Sequence, residues 1–131
     1  TRTPVAGTIR DPDFAAAYEA VLEAQQAAFA AMRPGVPCEE VDRIARDVLA
    51  THGLAEAFTH RLGHGLGLSV HEPPYLVRGN RAPLCPGMVV TDEPGVYLPG
   101  RWGVRIEDVV VITEEGAERL TRSPHDLLAL P

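Results

Sequence analysis

A chain of 131 residues is at most one compact domain, and 45% hydrophobic with 23% charged residues is the balance of an ordinary core-forming sequence. Twelve basic against eighteen acidic residues leave a formal charge of −6, which argues against the basic footprint of a non-specific nucleic-acid binder and against anionic membrane surfaces. No apolar run approaches the ~20 residues of a bilayer span, no signal-peptide pattern opens the chain, and two cysteines are too few for a disulfide framework, so a cytoplasmic setting is expected.

Residues Thr1 to Arg10 read as a short strand with a turn at Gly7. Asp11-Pro12 is a helix start, Asp as cap and Pro at the first helical position. From there Phe14, Tyr18, Val21, Leu22, Ala28, Phe29 and Met32 recur at helical steps up to the Pro34-Gly35 stop. A second helix carries Glu39 and Glu40 in its first turn, an apolar stripe of Val41, Ile44, Ala45, Val48 and Leu49, and a stop at Gly53. Beyond Gly53 the pattern changes to short extended pieces. A Pro86-Gly87 turn feeds a strand ending near Thr91, and Gly103 to Ile112 reads as one strand buried on both faces. Glu115-Gly116 turns into a partner strand near Ala117 to Thr121, and Ser123-Pro124-His125-Asp126 carries a capped short-helix pattern. Two helices followed by mainly antiparallel strands make an α+β domain with no internal linker over residues 1–131.

Nine of the twelve glycines fall between Gly53 and Gly103, beside four of the five histidines. In His60-Arg-Leu-Gly-His64-Gly-Leu-Gly-Leu-Ser-Val-His71-Glu-Pro-Pro, the glycines make a helix improbable, and those flanking His64 let backbone approach whatever the imidazole holds. The prolines after His71 exclude a zincin helix, and the glycine spacing is not that of a phosphate loop. Glu93, in Thr-Asp-Glu-Pro-Gly, stands at a strand's mouth. Glu107, on the presumed two-sided strand, needs compensation from Arg105 or from a metal, because burying a lone carboxylate costs several kcal/mol. Imidazoles and carboxylates without thiolate suit Mn, Co, Fe or Zn, and a carboxylate-rich metal pair performs amide or ester hydrolysis. No Gly-x-Ser-x-Gly elbow or electropositive cysteine motif supports a nucleophilic alternative.

HRLGHGLGLSVHEPP, TDEPGVY and GVRIEDVVV, in this order and with TRSPHDLLAL at the close, resemble the metallopeptidases of the pita-bread fold, and within them the Xaa-Pro aminopeptidases and Xaa-Pro dipeptidases rather than the methionine aminopeptidases. The resemblance implies two helices on a curved, mainly antiparallel sheet and two divalent ions, Mn or Co ahead of Zn or Fe. It implies metal ligation by His64, Glu93 and Glu107, with Glu107 bridging. It further implies that His60 and His71 orient the bound amide and stabilise developing charge, that Arg105 fixes a ligand carboxylate, and that Glu93 assists proton transfer. The expected substrate is a peptide or dipeptide cut before proline, and a homodimer is compatible with the family.

The same resemblance implies a departure. The family's site has five protein ligands, two of them aspartates upstream of this stretch, the second two residues before a Thr-Arg-Thr like Thr1-Arg2-Thr3. The chain is therefore expected to be the C-terminal portion of the catalytic domain, impaired on its own and partnered by a missing N-terminal half. Two other readings are a non-catalytic binding module on the same scaffold, which the retained six polar residues disfavour, and a creatinase-like C–N hydrolase.

Overall fold

A computed structural model describes all 131 residues. In chain order the elements are β1 (Val5–Ala6), α1 (Pro12–Ala31), α2 (Cys38–Thr51), a 3₁₀ turn at Ala55–Ala57, β2 (Gly63–Gly65), β3 (Glu72–Leu76), β4 (Val89–Asp92), β5 (Gly95–Leu98), β6 (Trp102–Arg105), β7 (Asp108–Ile112), β8 (Ala117–Arg119) and β9 (Ala129–Leu130). The two helices pack on each other and lie over antiparallel sheets, which is the α+β arrangement expected from the sequence.

The helix boundaries follow local chemistry. Asp11 accepts a hydrogen bond from the Asp13 amide with Pro12 beside it, and Gly35 at φ +86° turns the chain between the helices. Ala17, Ala20, Ala24 and Ala28 bury a face of α1, with Val41, Ala45 and Leu49 buried on α2, so small side chains allow the two backbones to run close. No helix is long and apolar enough to cross a membrane.

Five strands pair antiparallel in the order β3-β2-β4-β7-β8, with Val90 opposite Val110 and Asp92 opposite Asp108. β5 and β6 form a separate hairpin, and β1 pairs in parallel with β9. Two expectations change. Gly103 to Ile112 is two strands in different sheets, interrupted at Ile106 and Glu107. Its faces are also unequal: Val104, Ile106, Asp108, Val110 and Ile112 are buried, whereas Arg105, Glu107, Val109 and Val111 are half-buried. The tail, read as a short helix, instead runs extended into β9. Its carbonyls are engaged elsewhere, Ser123 and Pro124 accepting from Arg2 at 2.7 Å and His125 from the Tyr18 hydroxyl at 3.0 Å.

Asp108, rather than Glu107, is the fully buried carboxylate of this region. Its Oδ1 accepts from Arg2 at 2.8 Å and its Oδ2 from Gln25 at 3.0 Å. The same Oδ2 lies 2.8 Å from His125 Nε2 and 3.2 Å from Arg119 Nε. Burial would push this carboxyl up, but Arg2 and His125 outweigh it and hold it below the ordinary aspartate value.

Removing one member of a buried charged cluster leaves its partners uncompensated. Asp108→Asn is therefore expected to lower stability by about 3 kcal/mol in urea denaturation, whereas Arg43→Ala, which breaks only exposed pairs with Glu40 and Asp47, shifts it by less than about 1 kcal/mol. Equal effects would mean that Asp108 does not organise the fold.

Candidate functional site

The segment from Phe58 to Leu62 is held by a helical ion pair. Asp42, 1% exposed, receives both Arg46 nitrogens at 2.8 and 3.2 Å, and its Oδ1 also accepts from the Leu62 amide at 3.0 Å. Arg46 in turn donates to the carbonyls of Phe58 at 3.1 Å and His60 at 2.6 Å. One buried pair on α2 thus fixes the backbone from which His60, Arg61 and then His64 project.

His64 sits on β2 between β3 and β4, where backbone spacing is very tight. A Cβ on Gly63 would stand 1.9 Å from the Thr91 carbonyl oxygen, and one on Gly65 would stand 2.3 Å from that of Pro73. Only glycine on both sides of His64 permits this approach, as the sequence pattern suggests. The His64 amide donates to Thr91 Oγ1 at 3.0 Å, and that hydroxyl donates to Glu93 Oε1 at 3.0 Å. His64 Nδ1 pairs with the Gly65 carbonyl at 2.9 Å, which turns Nε2 toward Glu93 Oε1 at 3.2 Å.

That geometry is a test of whether a metal fits. With Nδ1 carrying the proton to Gly65, Nε2 presents a lone pair to a carboxylate, an arrangement that a cation between them relieves. Two donors each ~2.1 Å from one ion and ~90–110° apart lie ~3.0–3.4 Å from each other, which brackets the separation seen here. The pair fits a divalent cation in donor type and spacing. It is only part of a coordination sphere, for no three His, Cys, Asp or Glu side chains in the chain are arranged so that they could hold one ion together.

His60, His71, Glu93 and Arg105 line one cavity of about 490 Å³, together with Arg61, Tyr75 and Val77. His71 is exposed at the rim, its ring 4.4 Å from that of His64. Arg105 does not pair with Glu107. Its Nη1 stands 3.6 Å from Glu93 Oε2, and its Nη2 faces His60 Nε2 at 3.4 Å. His60 Nδ1 is bonded to the Arg61 carbonyl at 2.7 Å. Burial, reinforced by Arg105 and Arg46, pushes the His60 imidazole below its usual value, so it is neutral at pH 7.

Glu107 stays outside this group. Its carboxylate accepts from the Thr1 hydroxyl. The sequence reading missed Asp92, which is fully buried with neither oxygen hydrogen-bonded. Burial drives its pKa well above the ordinary value, with nearby Asp108 and Glu93 adding to the rise against Arg119. It also missed Arg61 and Tyr75, whose only signal was a charge and an aromatic ring flanking the histidine motif.

Residues 1–114 match the model of the metallopeptidase family M24. The chain is 57% identical to the probable dipeptidase PepE of Mycobacterium tuberculosis over 92% of its own length and 32% of the relative's, and 47% identical to the Xaa-Pro dipeptidase of Pyrococcus furiosus over 98% and 36%. Among solved structures it superposes on dipeptidase PepE from Mycobacterium ulcerans with a TM-score of 0.95 at 55% identity, covering 99% of this chain and 35% of that one. On a prolidase from Thermococcus sibiricus the TM-score is 0.94 at 45% identity, covering 98% and 35%. The chain spans about a third of the length of these relatives.

Two outcomes follow from the local geometry. Gly63→Ala is expected to cost more than about 2 kcal/mol of stability, since the clash is with backbone rather than a flexible side chain; a fully stable variant would show that β2 and β4 are not so close. His60 should titrate below its ordinary value of 6.5 in an NMR pH series, and Arg105→Gln should raise that titration. Because the folded imidazole resists protonation, its contribution to stability is complete above pH 6.5 and declines as the pH falls below it. A titration at or above 6.5 would contradict the burial of this ring.

Proposed function

Because this chain belongs to metallopeptidase family M24, we propose that the protein carrying it is a divalent-metal-dependent peptidase that cleaves the bond preceding proline in Xaa-Pro dipeptides. The observation that carries this reading is the His64–Glu93 pair, whose 3.2 Å spacing suits one cation and whose Glu93 lines a cavity with His60, His71 and Arg105. The relatives' names, probable dipeptidase and Xaa-Pro dipeptidase, support the substrate class.

His64 and Glu93 would hold the metal, with Glu107 as the third ligand once it exchanges its Thr1 contacts, and Mn or Co as the ion. Two such ions, when bound, supply a water of lowered pKa and polarisation of the scissile carbonyl. The chain's own groups do the remaining work. Gly65 and Thr91 fix the ring of His64 and the Oε1 of Glu93 before any ligand arrives, so little ordering remains at the moment of reaction. Arg105 keeps Glu93 Oε2 oriented, and Glu93 receives a proton from the attacking water and passes it to the departing proline nitrogen. His60, kept neutral by burial, and His71 line the same cavity and hydrogen-bond along the bound amide.

The complete protein that carries this sequence is expected to hydrolyse Ala-Pro when Mn or Co is supplied and to lose that activity in chelator. Glu93→Gln should lower kcat by roughly 100-fold or more while leaving the fold intact by circular dichroism. Metal-independent hydrolysis, or none with any divalent ion, would overturn the assignment.

A further inference from the structure

Resting on the peptidase reading, we propose that Glu72 is a positioning residue: its carboxylate braces the loop of residues 66–71 and thereby holds His71 at the rim of the cavity. The loop joins β2 to β3, with Gly65 paired to Glu72 at its base. His71 is its last residue and lines the cavity, its ring against that of His64. Because His71 is exposed, the backbone of the loop, rather than packing around the ring, decides where the imidazole stands.

Packing within the chain contributes little to that loop. Leu68 is fully exposed and Val70 is 70% exposed, so its apolar tip residues bury almost nothing. The backbone is tied at its start, where the Leu66 amide donates to the Val89 carbonyl at 3.0 Å, and across its tip by a longer bond of 3.3 Å from the Gly67 amide to the Ser69 carbonyl. One side chain completes the hold. Glu72 folds back under the loop, and its Oε2 accepts from the Ser69 amide at 2.9 Å. A Cβ on Gly67 would stand 2.2 Å from Glu72 Oε1, so the bare glycine leaves the space that the carboxylate fills.

The two neighbours divide their tasks by parity. His71, Tyr75 and Val77 line the cavity from odd positions, and Glu72 is not among the lining residues, as the two-residue period of extended chain requires. A carboxylate that accepts a backbone N–H makes one of the stronger hydrogen bonds. That bond ties the residue after His71 to the residue two before it, which fixes the turn from which the imidazole projects. Placement matters here, since a group that orients a reacting amide can lose roughly 100-fold of its effect when displaced by about 1 Å.

The test uses the complete protein. It measures kcat and KM for Ala-Pro with Mn or Co supplied, and amide hydrogen exchange of residues 66–71 by mass spectrometry in the metal-free protein. Glu72→Ala should speed that exchange by roughly 10-fold or more and lower kcat by roughly 10- to 100-fold with KM changed far less. Glu72→Gln keeps an oxygen to accept from Ser69 and should recover most of both. Gly67→Ala, whose methyl displaces the carboxylate without altering it, should reproduce both changes of Glu72→Ala. Adding Glu72→Ala to His71→Ala should lower kcat no further, since the brace acts through that imidazole. Unchanged exchange in Glu72→Ala would overturn the proposal, and so would additive losses in the double variant. A carboxylate that only stabilises the fold would lower the melting temperature and spare kcat, which also overturns it. If the wild type cleaves no Ala-Pro with either metal, the peptidase reading falls, and the exchange data separate that failure from a loop that Glu72 does not hold.

Discussion

Asp108 is the charge around which the chain closes. A carboxylate with no solvent exposure is tolerable only when cations and donors surround it, and here those partners come from far along the sequence. Arg2 arrives from the N-terminal segment, Gln25 from α1, Arg119 from β8 and His125 from the tail. Each partner brings its own element to the same point. Arg2 also bonds the carbonyls of Ser123 and Pro124, so that β1 and β9 lie side by side. Glu107, the neighbouring residue, inherits its position from this cluster, since β7 begins where Asp108 is clamped.

A second constraint works on the opposite side of the sheet order. The Asp42–Arg46 pair on α2 satisfies three backbone groups between Phe58 and Leu62, a stretch that has no regular secondary structure of its own. Backbone left unpaired there would be costly. The helix thereby sets where His60 and Arg61 point, and the bare glycines at 63 and 65 then bring β2 within touching distance of Thr91 and Pro73. His64 reaches Glu93 because these steps occur in series: a helix fixes a loop, and the loop delivers a strand that only glycine can fit.

The sequence showed the parts of this that depend on local rules. Asp11-Pro12, Pro34-Gly35 and Gly53 marked the helix limits through caps and positive-φ glycine, and the glycines around His64 marked a close approach that the structure contains. Alternation along residues 103–112 puts Ile106, Asp108 and Val110 on one face, which is the buried one, although the sequence reads as buried on both. What parity could not say was which carboxylate would be buried, because the compensating groups lie between 11 and 106 residues away. Nor could local pattern show that the strand breaks at Ile106 and Glu107, or that Arg2 and Tyr18 claim the carbonyls a tail helix would have used. The members of the candidate site were legible as types. Their grouping was not, and the separation of Glu107 from the His64–Glu93 pair is the clearest instance.

The electrostatics of the cavity reverse those of the whole chain. The chain as a whole carries a formal charge of −6, yet the lining holds two guanidiniums against one carboxylate. Burial keeps His60 neutral, so that ring adds no positive charge to that of Arg61 and Arg105. Arg105 is committed to Glu93 and His60, while Arg61 lies over the Tyr75 ring. A divalent ion beside His64 would further raise the local positive potential and lower the energy of charge that develops on a polarised amide oxygen. That field is held in place by α2 at one edge and by glycine-spaced strands at the other.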